Sequence, residues 1–149
     1  MNEYITKNFT WNELTRSATA KRLGIDNSVP ERYMSNVIKL CTDILQPLRD
    51  AWNAPIIVSS GFRCYSLNKA VKGAVASDHM IGCAADIKTV SDLFRDNKKL
   101  YDLIKKLNLP YRQLIWEYGN DIGPDWVHIS VNAANGIDNY PKHQELRIR

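Results

Sequence analysis

His79, Asp86 and His128 are the residues of this chain whose types and spacing best suit chemistry. The first two lie in the run Ser77-Asp78-His79-Met80-Ile81-Gly82-Cys83-Ala84-Ala85-Asp86, and the third in Asp125-Trp126-Val127-His128-Ile129-Ser130. Two neutral imidazoles and a carboxylate are good donors for a divalent zinc. Three protein ligands leave the fourth tetrahedral position open for water, as in catalytic rather than structural sites. The donor set therefore points to metal-dependent hydrolysis.

Asp125 stands three residues before His128. A carboxylate beside such a water can take its proton during attack on a carbonyl and return it to the leaving amine, so Asp125 is the expected general base. Following Gly123-Pro124, it could equally close a turn. Arg63 ends the run Ser59-Ser60-Gly61-Phe62-Arg63, and its planar, permanently charged fork could bind a substrate carboxylate or steady an oxyanion. A solvated arginine is the plainer alternative. Glu117 could brace a ligand histidine or be a strand-end charge in water. Tyr65, Trp116, Tyr118 and Trp126 flank these motifs and could line a groove, although aromatics at strand ends are as often core. His143 is expected to be solvated.

The elements that must hold these side chains follow from periodicity and caps. Thr10-Trp11-Asn12-Glu13 has the form of a capping box that starts a short helix, and Gly24 suits a helix stop after Leu23. From Pro30 to about Trp52, Val37, Leu40, Cys41, Ile44, Leu45 and Leu48 recur at three- and four-residue steps, one face of a long helix. Pro47 has no N–H to donate, so a kink is expected near Asp43 to Pro47. Pro55 to Ser59 reads as a buried strand ending in the Ser60-Gly61 turn. A short helix is expected around Ser66 to Val71, a strand over Ala84 to Lys88, and an amphipathic helix over Ser91 to Leu107. Gln113 to Glu117 and Trp126 to Val131 read as two closing strands joined by a Gly/Asn/Pro loop. Alternation puts Trp126, His128 and Ser130 on one face of the last strand and sends Asp86 away from Ala85 and Ile87. One sheet face can then present both Asp86 and His128, with His79 supplied by the preceding loop. Alone, each could be a satisfied polar group; together they form a site.

With 149 residues, 44% hydrophobic and 24% charged, the chain is large enough for one hydrophobic core without staples. The expectation is one domain over residues 1–149, with a core at about 9–131 and a short basic C-terminal tail. No apolar run approaches the roughly 20 residues of a membrane span. The opening residues from Met1 to Lys7 lack a basic-then-apolar leader pattern. Cys41, Cys64 and Cys83 cannot all pair within the chain, so free thiols are expected. The net charge of +4 is mild and its basic residues are scattered, so no nucleic-acid partner is expected.

Ser59-Ser60-Gly61-Phe62-Arg63, Leu67-Asn68, Ser77-x-His79-x-x-Gly82-x-Ala84-x-Asp86 and Asp125-Trp126-Val127-His128 together resemble the zinc D-Ala-D-Ala carboxypeptidase family. The likeness runs from about Phe9 to Val131 and is strongest to small phage-type members that cut peptidoglycan stem peptides. It implies a compact α+β fold of the hedgehog/DD-peptidase kind, with a small antiparallel sheet packed on helices. It also implies Zn2+ on His79, Asp86 and His128, Asp125 as base, and Arg63, Ser77 and Trp126 at the substrate. The substrate would be the peptide part of peptidoglycan, cut at D-Ala-D-Ala or L-Ala-D-Glu by a monomer. By analogy with phage endolysins, such a protein waits in the cytoplasm and acts at the bacterial cell wall after release.

Two rival readings remain open. Cys64 or Cys83 could be a nucleophile with His79 or His128 as base, which leaves Asp86 and Asp125 little to do. The chain could also be a non-catalytic module that keeps the metal for stability and binds cell wall or protein, as the likeness to hedgehog-type domains would permit.

Overall fold

The computed structural model describes residues 3–136 and 140–149; Met1 and Asn2 of the opening run lie outside the described residues. The Thr10 capping box forms as read, with the Thr10 hydroxyl accepting from Glu13 N and the Glu13 carboxylate accepting from Thr10 N, and it starts helix α1 (Trp11–Thr15). Helix α2 (Ala18–Leu23) is capped by the Ser17 side chain and stops at left-handed Gly24.

The long helix runs through three segments: α3 (Glu31–Leu40), a π turn (Cys41–Leu45) and α4 (Gln46–Trp52). The expected kink takes the form of this π turn, in which Gln46 N donates to Cys41 O, one residue further back than in an α-helix. Pro47, with no N–H to offer, follows directly, so the widened turn sits where the α-helical ladder would be interrupted. Val37, Leu40, Cys41, Ile44, Leu45 and Leu48 are all buried, so the helix still turns one continuous apolar stripe inward.

After β1 (Ile56–Ser60) come α5 (Tyr65–Ala70), a 3-10 turn (Asp78–Ile81), β2 (Ala84–Thr89), α6 (Phe94–Lys106), β3 (Gln113–Glu117), β4 (Trp126–Ser130) and β5 (Gln144–Ile148). The sheet order is β1-β2-β4-β3-β5. The first four strands pair antiparallel as expected, but β5 pairs parallel to β3, which makes the sheet mixed. The fold is α+β. Residues read as a basic tail thus extend the sheet. All of β5 is exposed, and its only apolar alternation is Leu146 and Ile148 set between charged residues; its hold on β3 includes main-chain pairing, Tyr111 Oη donating to Glu145 and Gln113 bonding Gln144. His143, although exposed, has Nε2 at 2.9 Å from Leu109 O and its ring against Tyr111. It is thus held rather than free in solvent.

The core lies on one side of this sheet. Val58, Ala85, Ile87, Val127, Ile129, Leu114 and Trp116 pack with the inward stripe of α3 to α4 and with Leu100, Tyr101 and Ile104 of α6. Ile87, Ile129 and Leu114 are 0% exposed. Burial at that level is worth about 1.5–3 kcal/mol per large aliphatic side chain. The opposite face carries Asp86, Glu117 and His128.

Candidate metal centre

Register brings two of the three candidate ligands together. Asp86 of β2 and His128 of β4 are directly opposed Cα partners, so alternation projects both from the same face. His128 Nδ1 lies 3.0 Å from Asp86 Oδ1. The third, His79, sits in the 3-10 turn. The Ser77 hydroxyl accepts from His79 N at the start of this turn, and Gly82 closes it at φ +77, where a side chain would be strained and its Cβ would come within 2.7 Å of Val37. His79 is 2% exposed, and its Nε2 lies 3.3 Å from the same Asp86 oxygen.

The tautomer of His79 follows from its other nitrogen. Nδ1 sits 2.7 Å from Gly61 O, an acceptor only, so Nδ1 carries the hydrogen and Nε2 presents a lone pair. That Nε2 is buried and has no hydrogen-bond partner among the described residues. A buried polar atom without a partner costs about 1–3 kcal/mol, so its presence calls for an occupant. The donor atoms of His79, Asp86 and His128 all lie within 4.8 Å of one another. Ligands about 2.0–2.1 Å from a tetrahedral zinc are about 3.3 Å apart, close to the 3.3 and 3.0 Å seen to Asp86 Oδ1. The donor chemistry and spacing therefore fit a zinc-type dication. Burial by itself would raise the Asp86 carboxyl's pKa, but the facing His79 and hydrogen bonding from His128 outweigh it and hold the group well below the ordinary carboxylate range.

The three candidate ligands open into a groove of about 570 Å³ that also receives Arg63, Ser77, Glu117, Tyr118 and Trp126. Arg63 Nη2 is 3.9 Å from Asp86 Oδ2, and Nη1 donates to Asn68 Oδ1 at 3.1 Å. Gly73 makes room for this pair, since a Cβ there would overlap Asn68 Oδ1 and reach within 2.6 Å of Arg63 Nη1. Burial lowers the pKa of the Arg63 guanidinium, and the charges of Asp86 and Glu117 act against that shift. Trp126 meets Tyr118 edge-on at 5.3 Å. Of the other aromatics, Trp116 faces the core against Tyr101, and Tyr65 is 74% exposed and away from the groove.

The two candidate carboxylates separate. Asp125 precedes β4 and borders a neighbouring pocket with Phe94, Tyr118 and Arg147 rather than the groove. Alternation that turns Trp126 toward the groove turns Asp125 the other way. Glu117 is the Cα partner of Trp126 on β3 and points into the groove, with Oε1 3.9 Å from His128 Nδ1. Burial, and then the Asp86 charge, raise its pKa above the usual glutamate value. Of the cysteines, Cys83 is packed in the core and Cys64 is half-buried, and neither lines the groove.

Buried asparagines, which the sequence reading missed, tie down the loops around the centre. Asn27 donates to Phe62 O and accepts from Cys64 N on either side of Arg63. Asn36 donates to Ile81 O in the His79 turn and accepts from Ala134 N beyond β4. Asn97 is 0% exposed, accepts from Thr89 N at the end of β2, and donates to Pro124 O and Asp125 O before β4. In sequence Asn27 sits between Asp26 and Ser28 and Asn97 between Asp96 and Lys98, like any solvated polar residue, and only tertiary contact reveals their partners.

A sequence model of the Peptidase M15 family matches residues 7–130. No curated protein matches the chain. The matched span includes every groove residue named above and stops short of β5.

Proposed function

Because the chain belongs to the Peptidase M15 family and is thereby a metallopeptidase, we propose that it uses Zn2+ to hydrolyse an amide bond in the peptide part of peptidoglycan. The observation that carries this reading is the buried, partnerless Nε2 of His79 facing Asp86 and His128 on the groove floor. Zinc bound there would act as a Lewis acid toward the carbonyl and acidify water.

The chain's own residues supply the rest. The Gly61 carbonyl fixes the His79 tautomer, so that a lone pair and not a hydrogen faces the centre. Glu117, the carboxylate on the groove side, takes the proton from the attacking water and passes it to the leaving amine. Its burial suits it to hold that proton between the two steps. Arg63, aimed by Asn68, faces the oxygen on which negative charge develops. Trp126 and Tyr118 offer the substrate a flat apolar wall, and Ser77 borders the same groove. Asp125, given the base role by the motif resemblance, is the competing assignment for the proton transfer.

The resemblance to phage-type members supports a monomer that acts at the bacterial cell wall after release from the cytoplasm. Among the described residues no helix is long and apolar enough to cross a membrane. Mass spectrometry of fragments released from purified peptidoglycan, with and without a chelator, tests the proposal. New amine ends that appear only without chelator are expected. Release that persists in chelator, or no release by the zinc-loaded protein, would overturn it.

A further inference from the structure

Asp78 stands directly before His79 in the 3-10 turn, and its carboxylate accepts from Nη1 of Arg112, the residue that precedes β3. Both side chains are partly buried and border the groove. The two ends of this ion pair are anchored differently. The Asp78 end is the ligand turn itself, where Asp78 O also accepts from Gly82 N and Cys83 N. The Arg112 end is fixed in the sheet: Arg112 N donates to Ser130 O at 2.7 Å, and Arg112 O accepts from Gln144 N of β5 at 3.0 Å. The Arg112 guanidinium lies over the Tyr140 ring, 4.2 Å from its centroid. Tyr140 is held in turn by Asn132, since Tyr140 N donates to Asn132 Oδ1 and Tyr140 O accepts from Asn132 Nδ2. Tyr140 and Gln144 lie beyond residue 130, where the family match ends. A segment outside the matched span thus reaches the metal-binding turn through one guanidinium.

A metal ligand contributes most when its backbone is already held where the ion needs it, and supports outside the ligand set commonly carry a factor of about 10–100 in metal affinity. We infer that the Arg112–Asp78 pair, braced by Tyr140 and β5, positions His79 and thereby sets how tightly the centre holds its dication. Asp78 and Arg112 are positioning residues here, acting through the turn rather than as ligands. The inference rests on the zinc part of the reading above and needs no peptide bond to be cut. A charge effect alone would act oppositely at the two partners. Removing the Asp78 carboxylate would leave a cation near the dication and weaken binding, whereas removing the Arg112 guanidinium would leave an anion there and strengthen it. Positioning predicts a loss in both cases, because either removal frees the turn from the sheet.

The test measures Zn2+ affinity of the full chain by competition with a chromophoric chelator, and the geometry of the centre by the visible absorption of the Co2+-loaded protein. Asp78→Ala and Arg112→Ala should each weaken zinc binding about tenfold and alter the cobalt bands. The double variant should lose no more than the worse single, because the two side chains work as a unit. Asp78→Asn and Arg112→Lys should recover part of the loss, and Tyr140→Leu should show a smaller loss in the same direction. Thermal melts of the metal-free proteins report the fold separately. Tighter zinc binding by Arg112→Ala would overturn the inference in favour of a charge effect. Single losses that multiply in the double variant would also overturn it, as would unchanged affinity and cobalt bands in variants whose melting temperature falls. Cleavage of peptidoglycan is scored on its own. Affinity changes as expected in a protein that cuts no peptide bond would sink the peptidase reading and leave the positioning pair standing.

Discussion

Along β4, Val127 and Ile129 point into packing that leaves them 0% exposed, while His128 between them points to the opposite face and meets Asp86, His79 and Glu117. The same strands build both faces, one closed by aliphatic contact and the other facing a buried nitrogen that has no hydrogen-bond partner among the described residues. On the core side Val127 and Ile129 belong to a cluster of apolar side chains, where volume matters more than direction. On the groove side each side chain has a required direction. The contrast teaches that register fixes function here: Asp86 and His128 meet only because they are opposed, and a one-residue slip of β2 against β4 would send one of them into the core.

The contrast can be broken at several strengths. Glu117→Gln should keep zinc affinity and core stability yet lower kcat by about 10²- to 10⁴-fold, the usual reach of a general base, whereas Asp125→Asn should stay near wild type. Paired kinetics and zinc titration check this, and the reverse ranking would return the base role to Asp125. On the other face, Ile129→Ala should cost about 2–5 kcal/mol in chemical denaturation while the zinc affinity of the remaining folded protein is unchanged. A large loss of affinity would show that the faces are not independent.

Asn97→Ala should sharpen the boundary between them. It leaves the Thr89 N–H and the Pro124 and Asp125 carbonyls without their amide partner, at about 1–3 kcal/mol, so both stability and turnover should fall. The smallest effect concerns the rim. Burial, and then the hydrogen bond to Glu145, push the Tyr111 hydroxyl up to about 12. A pKa raised in the folded state stabilises fully below the unfolded value near 10 and is lost as pH climbs through the folded one. Stability should therefore decline between about pH 10 and 12, and Tyr111→Phe should flatten that part of the profile.

Much of this was legible because the strongest signals were local. The Thr10 box, the apolar stripe of α3 to α4, the hairpin of β3 and β4, and the ligand run with its glycine all depend on residues close in sequence. The alternation that correctly faced His128 and Asp86 away from the core would also have opposed Glu117 to Trp116, had it been applied to β3. Asp125 and Glu117 compete for the base role on different grounds, Asp125 because it shares a motif with His128 and Glu117 because its cross-strand pairing with Trp126 turns it into the groove. β5 was missed because its short alternation of Leu146 and Ile148 is embedded in a run of charged residues that reads as a solvated tail. The asparagine clamps were missed because each joins segments far apart in the chain.

β5 also bears on how the protein is handled at the bench. Ile148 is the Cα partner of Glu117 and borders the groove, so the end of β5 lies at its edge. An affinity tag or fusion partner joined directly after β5 would begin at the mouth through which a peptide substrate approaches. A tag carried away from β5 keeps that mouth clear.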